Sequence, residues 1–121
     1  MPRNWELRIE PWPELVAGRA YAARVASIAK SKKPPGIEIV FELVAPDQRG
    51  RRIEAVLPVP IHPGSPGAEF LRSCGMDVAV GRKLSPKDAV GIVINVRFAQ
   101  VSNGDFEPIA FEPISKETED G

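Results

Sequence analysis

Residues 36–59 read GIEIVFELVAPDQRGRRIEAVLPV, and the fold turns on this stretch. Ile37, Ile39, Phe41 and Leu43 alternate with Glu38, Val40, Glu42 and Val44, the two-residue period of a half-buried strand. Pro46, Asp47 and Gly50 then take turn-forming roles. Beyond them Ile53, Ala55 and Leu57 fall on one side of a second run. Strands over 37–45 and 51–58, joined by so short a turn, predict an antiparallel hairpin.

Upstream, AYAARVASIA at 20–29 places Tyr21, Ala23 and Val25 on one face. Ile28 has the opposite parity, so a bulge near Ser27 is expected to return it to the core. KSKKPPG at 30–36 reads as a loop. Nearer the start, Trp5, Leu7 and Ile9 alternate with Glu6, Arg8 and Glu10 until Pro11 and Pro13 end the pattern. Residues 1–17 are therefore an extra edge strand or an ordered arm.

Downstream, PIHPGSPG at 60–67 cannot continue a strand. Ser65 and Pro66 suit an N-cap and a first helical residue. Ala68, Phe70, Leu71 and Cys74 follow at helical spacing, and Gly75 suits the helix end, predicting a helix over 66–74. Ser85-Pro86-Lys87-Asp88 predicts a single turn before Gly91. Strands over 92–100 and 106–112 flank Asn103-Gly104, a strong hairpin signal. The segment SKETEDG at 115–121 has no apolar residue and is expected to be a disordered acidic tail.

Length and composition narrow the class. A chain of 121 residues suits one domain, here residues 18–114. Thirteen prolines and ten glycines exclude a helical bundle. Five strands with a helix between the third and fourth predict an all-β protein with one short helix, an OB-like five-stranded Greek-key barrel. A small β-sandwich or an open meander shares the same pattern. There is no apolar run of membrane-spanning length and no secretory signal, so a cytoplasmic location is expected.

Cys74 and His62 are the only cysteine and the only histidine. They allow no internal disulfide and no ordinary four-ligand zinc site. No nucleophile or phosphate-cradling glycine motif is present, so neither an enzyme nor a cofactor is expected. Net charge is zero. Residues 1–111 nevertheless hold fifteen Lys/Arg against twelve Asp/Glu, and the last ten residues hold one against four.

Several local features also resemble a known group. They are the Gly18 to Tyr21 entry to the first strand, FELVAPDQRGRRI, the helix end FLRSCG, VGIVINVRF, the Asn-Gly hairpin and the closing aromatic-proline strand. Over about residues 18–114 the chain resembles small phage and prophage proteins of a domain family of unknown function. That family is related in fold to single-stranded DNA-binding OB proteins. The resemblance implies an OB fold and a replication or recombination setting, and it carries no catalytic residues. Glu38 and Glu42 depart from it, because an OB surface that binds single strands wants basic and aromatic residues there.

Two basic clusters are candidate phosphate contacts: Lys30, Lys32 and Lys33 between strands one and two, and Arg49, Arg51 and Arg52 between strands two and three. Arg24 and Arg97 lie on the polar parity of their strands, and Tyr21 stands at the core or at a groove edge. Phe41, Phe98 and Phe106 are expected in the core, and Trp5 and Trp12 against the barrel. Glu38, Glu42 and Glu54 share a face and are expected to pair with arginine across the hairpin. The expected function is non-specific binding of single-stranded nucleic acid, DNA ahead of RNA. The alternative is a non-enzymatic adaptor that binds a protein partner or a second copy.

Overall fold

The computed structural model describes residues 7–114. Five strands form one antiparallel sheet: β1 (Ala20–Lys32), β2 (Pro35–Leu43), β3 (Arg52–Pro58), β4 (Val93–Gln100) and β5 (Phe106–Pro113). Their order across the sheet is β3-β2-β1-β4-β5. One helix, α1 (Pro66–Ser73), joins β3 to β4, and 3₁₀ turns occupy Pro46–Gln48 and Pro86–Ala89.

β1 is the central strand of the five. Its first half pairs with β4, from Ala20 opposite Arg97 to Arg24 opposite Val93. Most of its length pairs with β2, from Ala23 opposite Leu43 to Lys32 opposite Pro35. The expected bulge lies between Val25 and Ser27. It bends the strand and restores parity, so that Tyr21, Ala23, Val25 and Ile28 are all buried.

Strand β1 runs past the residues read as its end. Lys30 and Lys32 lie within it, opposite Ile37 and Pro35, and only Lys33 and Pro34 turn the chain. Beyond Ile28, Ala29, Lys30 and Lys32 are exposed, so β1 carries no apolar alternation there to mark it as strand.

Helix α1 begins as its sequence implies. Ser65 caps it, its Oγ accepting from Ala68 N at 3.3 Å, with Pro66 in the first turn. Gly75 ends it at φ +90. The β4–β5 turn differs in detail, since Gly104 alone has positive φ there. Asn103 instead accepts from Asp105 N at 3.0 Å through its Oδ1. This is a longer hairpin loop with one left-handed glycine, rather than two left-handed residues.

The helix and the curled sheet enclose one core. Ile39, Phe41, Leu43, Phe70, Leu71, Ile94, Val96 and Phe98 are almost fully buried, and Ile92 and Phe106 only partly. Phe41, Phe70 and Phe111 form an aromatic cluster that binds β2, α1 and β5 together.

The sheet is not closed by hydrogen bonds, in contrast to the barrel expected from the order of elements. β3 and β5 approach within 8 Å between Cα atoms but share no ladder. Pro108 and Pro113 of β5 cannot donate, and Glu54 and Glu107 line one cleft between the strands, where their charges repel.

The N-terminal pattern does not form a strand over residues 7–10, where Leu7 and Ile9 are exposed. Residues 7–17 make an arm without helix or strand. Leu15 nevertheless enters the core, and Val16 N donates to the Tyr21 hydroxyl at 2.8 Å. Trp5 and the tail at 115–121 lie outside the described residues. Among the described residues no helix is long and apolar enough to cross a membrane.

Candidate nucleic-acid interface

The two basic clusters occupy opposite ends of β2. Lys33 lies in the turn before the strand and Arg49 follows the turn after it. Nine residues of strand separate them, about 30 Å at 3.4 Å per residue.

At the lysine end, Lys30, Lys32 and Lys33 are exposed and make no ion pair within the described residues. At the foot of this hairpin lies a cleft of about 400 Å³. Ile28, Ile37, Val59 and Ile61 give it an apolar floor, and Lys30 and Lys87 stand on its walls. A second hollow of about 310 Å³ adjoins it, sharing Ile61 and Pro86 and reaching Arg82. Arg82 is already paired with Asp77 at 3.0 Å.

Lys87 has no counterpart in the sequence reading. The Ser85-Pro86 start signal identifies its turn, but not that this turn packs against β1. That contact is tertiary, and it brings Lys87 to the cleft that Lys30 also lines.

At the arginine end, Arg51 is committed to internal bonds. Arg51 Nη1 donates to Gln48 Oε1 at 3.1 Å and to Pro13 O at 3.2 Å. Its guanidinium lies 5.9 Å from the centre of the Phe106 ring. Gln48, wholly buried, donates to Pro13 O at 2.7 Å, and Trp12 Nε1 donates to Arg49 O at 3.0 Å. Arg51 therefore fastens the N-terminal arm, while Arg49 and Arg52 stay exposed. Gln48 lies in a polar turn sequence, so nothing in that sequence marks it as buried.

The remaining candidates are also engaged. Arg24 pairs with Glu42 at 3.6 Å across β1 and β2. Arg97 pairs with Glu112 at 2.8 Å and also donates to Gly18 O. Tyr21 is buried, with Arg19 over its ring at 5.1 Å, so its ring cannot stack on a base. Of the described aromatic rings, only Trp12 and Phe106 retain exposed surface.

On the outer face, Glu38 lies opposite Val56, and Glu54 opposite Val40. Neither carboxylate has a cation within 4 Å among the described residues. Among those residues no group of three His, Cys, Asp or Glu is placed to hold a metal ion. Cys74 is buried, which pushes its thiol up to about 11 and keeps it neutral at physiological pH.

The lysine end thus combines unpaired cations with an apolar recess. It can hold a flat apolar group in the cleft while nearby ammonium groups meet phosphates. No protein-family model matches the chain, and no curated protein matches it.

Proposed function

We propose that the protein is a non-enzymatic module binding single-stranded nucleic acid without sequence preference, DNA ahead of RNA. Its frame is an OB-like barrel left open between β3 and β5. The strand order and the helix between β3 and β4 support this frame, as they match the layout of OB barrels. The observation that carries the function is the apolar cleft walled by Lys30 and Lys87 under an unpaired lysine hairpin.

A base freed from a duplex enters such a cleft, whereas a stacked and paired one cannot. The lysines then follow the backbone on either side and release its counterions. The resemblance of residues 18–114 to a phage and prophage domain family of unknown function is what suggests a setting in phage or prophage replication or recombination. Fluorescence anisotropy with labelled single- and double-stranded oligonucleotides tests the reading. Binding that prefers the single strand supports it, and no binding at low salt and high micromolar protein removes it.

A second reading, a protein-interaction adaptor, draws on a different observation. Glu38, Glu42 and Glu54 occupy the outer face of β2 and β3, where they repel phosphate and no aromatic ring is offered. A negative result with both oligonucleotides favours it.

A further inference from the structure

The open seam between β3 and β5 and residues 7–10 of the arm, which join no strand, fit each other in direction and charge. The ladders are antiparallel throughout, so β3 and β5 run in the same direction. A strand lying between them pairs antiparallel with both if it runs the opposite way. The seam is a groove of two clefts, about 460 and 360 Å³, which meet at Glu54 and Glu107. One end carries Arg51, Arg52 and Asp105 and the other Glu38, with Glu54 and Glu107 between them.

The arm carries the complementary pattern. Leu7 and Ile9 alternate with Arg8 and Glu10 in strand period, yet these apolar side chains are 75% and 91% exposed. Among the described residues, the arm's one ion pair is a loose one of 3.8 Å between exposed Arg8 and Glu10. Laid antiparallel in the groove with Glu10 at the arginine end, the segment sets Arg8 beside Glu54 and Glu107. Leu7 and Ile9 then point inward.

We propose that this groove receives the strand-patterned segment 7–10 of a second copy of the chain. Trp12 and Pro13 fasten the arm at its own β2–β3 turn, beside the mouth of its own groove. Even so placed, Leu7 and Ile9 stay exposed within the single chain, which leaves them for another. Exchange in both directions produces a closed two-fold dimer, with each exposed edge covered. Two strand spacings need about 9.6 Å. Seating the segment therefore widens the seam by about 2 Å or more where β3 and β5 now come within 8 Å.

Sedimentation equilibrium on the full chain tests the exchange without any nucleic acid. The parent is expected to have twice the chain mass, and the Leu7→Asp/Ile9→Asp variant the mass of one chain with an unchanged circular dichroism spectrum. Glu54→Lys/Glu107→Lys is expected to weaken the dimer, and adding Arg8→Glu to restore it. A parent that stays monomeric at high micromolar concentration overturns the proposal. So does a dimer indifferent to Leu7 and Ile9, which uses another face. Deuterium-exchange protection of Leu7 and Ile9 in a monomer overturns it as well, since the arm then fills its own groove.

Discussion

Phe41 of β2 and Phe111 of β5 stack with ring centroids 6.0 Å apart and planes 29° from parallel, although β1 and β4 stand between their strands. Three strand steps in a flat sheet are about 14 Å. The sheet is therefore curled until its second and fifth strands meet through their side chains. Phe70 of α1 completes the contact, 5.8 Å from Phe41 and 5.5 Å from Phe111. Side-chain packing, rather than a β3–β5 ladder, holds the curvature.

Truncating Phe41 removes the ring that joins all three elements. Phe41→Ala is expected to cost about 3–5 kcal/mol, a large share of a small domain's stability. Chemical denaturation followed by circular dichroism measures it. A midpoint close to the parent's shows that α1 and β5 hold the curl without Phe41.

Gly36 is required for space rather than for an unusual backbone angle. A Cβ there meets the carbonyl oxygen of Leu57 and comes 2.8 Å from a methyl carbon of Val56. Gly36→Ala pushes β3 away from β2 at the base of the lysine hairpin. The expected loss is about 1–3 kcal/mol, the range for overpacking a well-packed site. Faster amide exchange at Ile37 and Leu57 reports it, and exchange equal to the parent's shows that the strands separate freely.

The strands, the helix cap and the bulge at Ser27 were legible because each has a local cause. Alternation marks a buried face, Ser65-Pro66 satisfies a helix start, and Ile28 had to face the core despite its parity. The candidate site was legible only in part. Lys30, Lys32 and Lys33 stood out as a cluster, but the recess beside them needs Val59, Ile61 and Lys87, which the fold alone brings to β1. Arg51 looked equally free in sequence. Its bond to buried Gln48 and its contact with the arm depend on Pro13, thirty-eight residues earlier.

Cys74 gives the fold a pH dependence at its alkaline side. Burial raises the folded thiol to about 11, against about 8.5 for an exposed one. A raised pKa means that the unfolded chain loses this proton first, so stability is complete below about pH 8.5 and falls as pH approaches 11. Melting temperatures across that window are expected to decline, and less steeply in Cys74→Ala. Equal slopes in the two proteins assign the decline to other groups.

The functional reading makes its sharpest demand on salt. Each phosphate neutralised on a single strand contributes about −0.7 to the slope of log affinity against log salt. Three to five contacts at the lysine end therefore predict roughly −2 to −3.5. Replacing Lys30, Lys32 and Lys33 with alanine is expected to flatten the slope and weaken binding while leaving the melt unchanged, because exposed charges contribute little to stability. Lys87→Ala is expected to act in the same direction, since Lys87 lines the same cleft as Lys30. Filling the recess with Val59→Trp separates the two parts of the site: it is expected to weaken binding without changing the salt slope. Arg49→Ala/Arg52→Ala, at the far end of β2, is expected to have the smaller effect. Removing residues 115–121, which carry three carboxylates and one lysine, is expected to strengthen binding slightly by relieving competition for the lysines. If the arginine pair matters more than the lysines, the nucleic acid follows the other end of the sheet. If none of these variants changes the slope, the lysine end does not bind phosphate, and the glutamates on the outer face of β2 and β3 define a protein-binding surface instead.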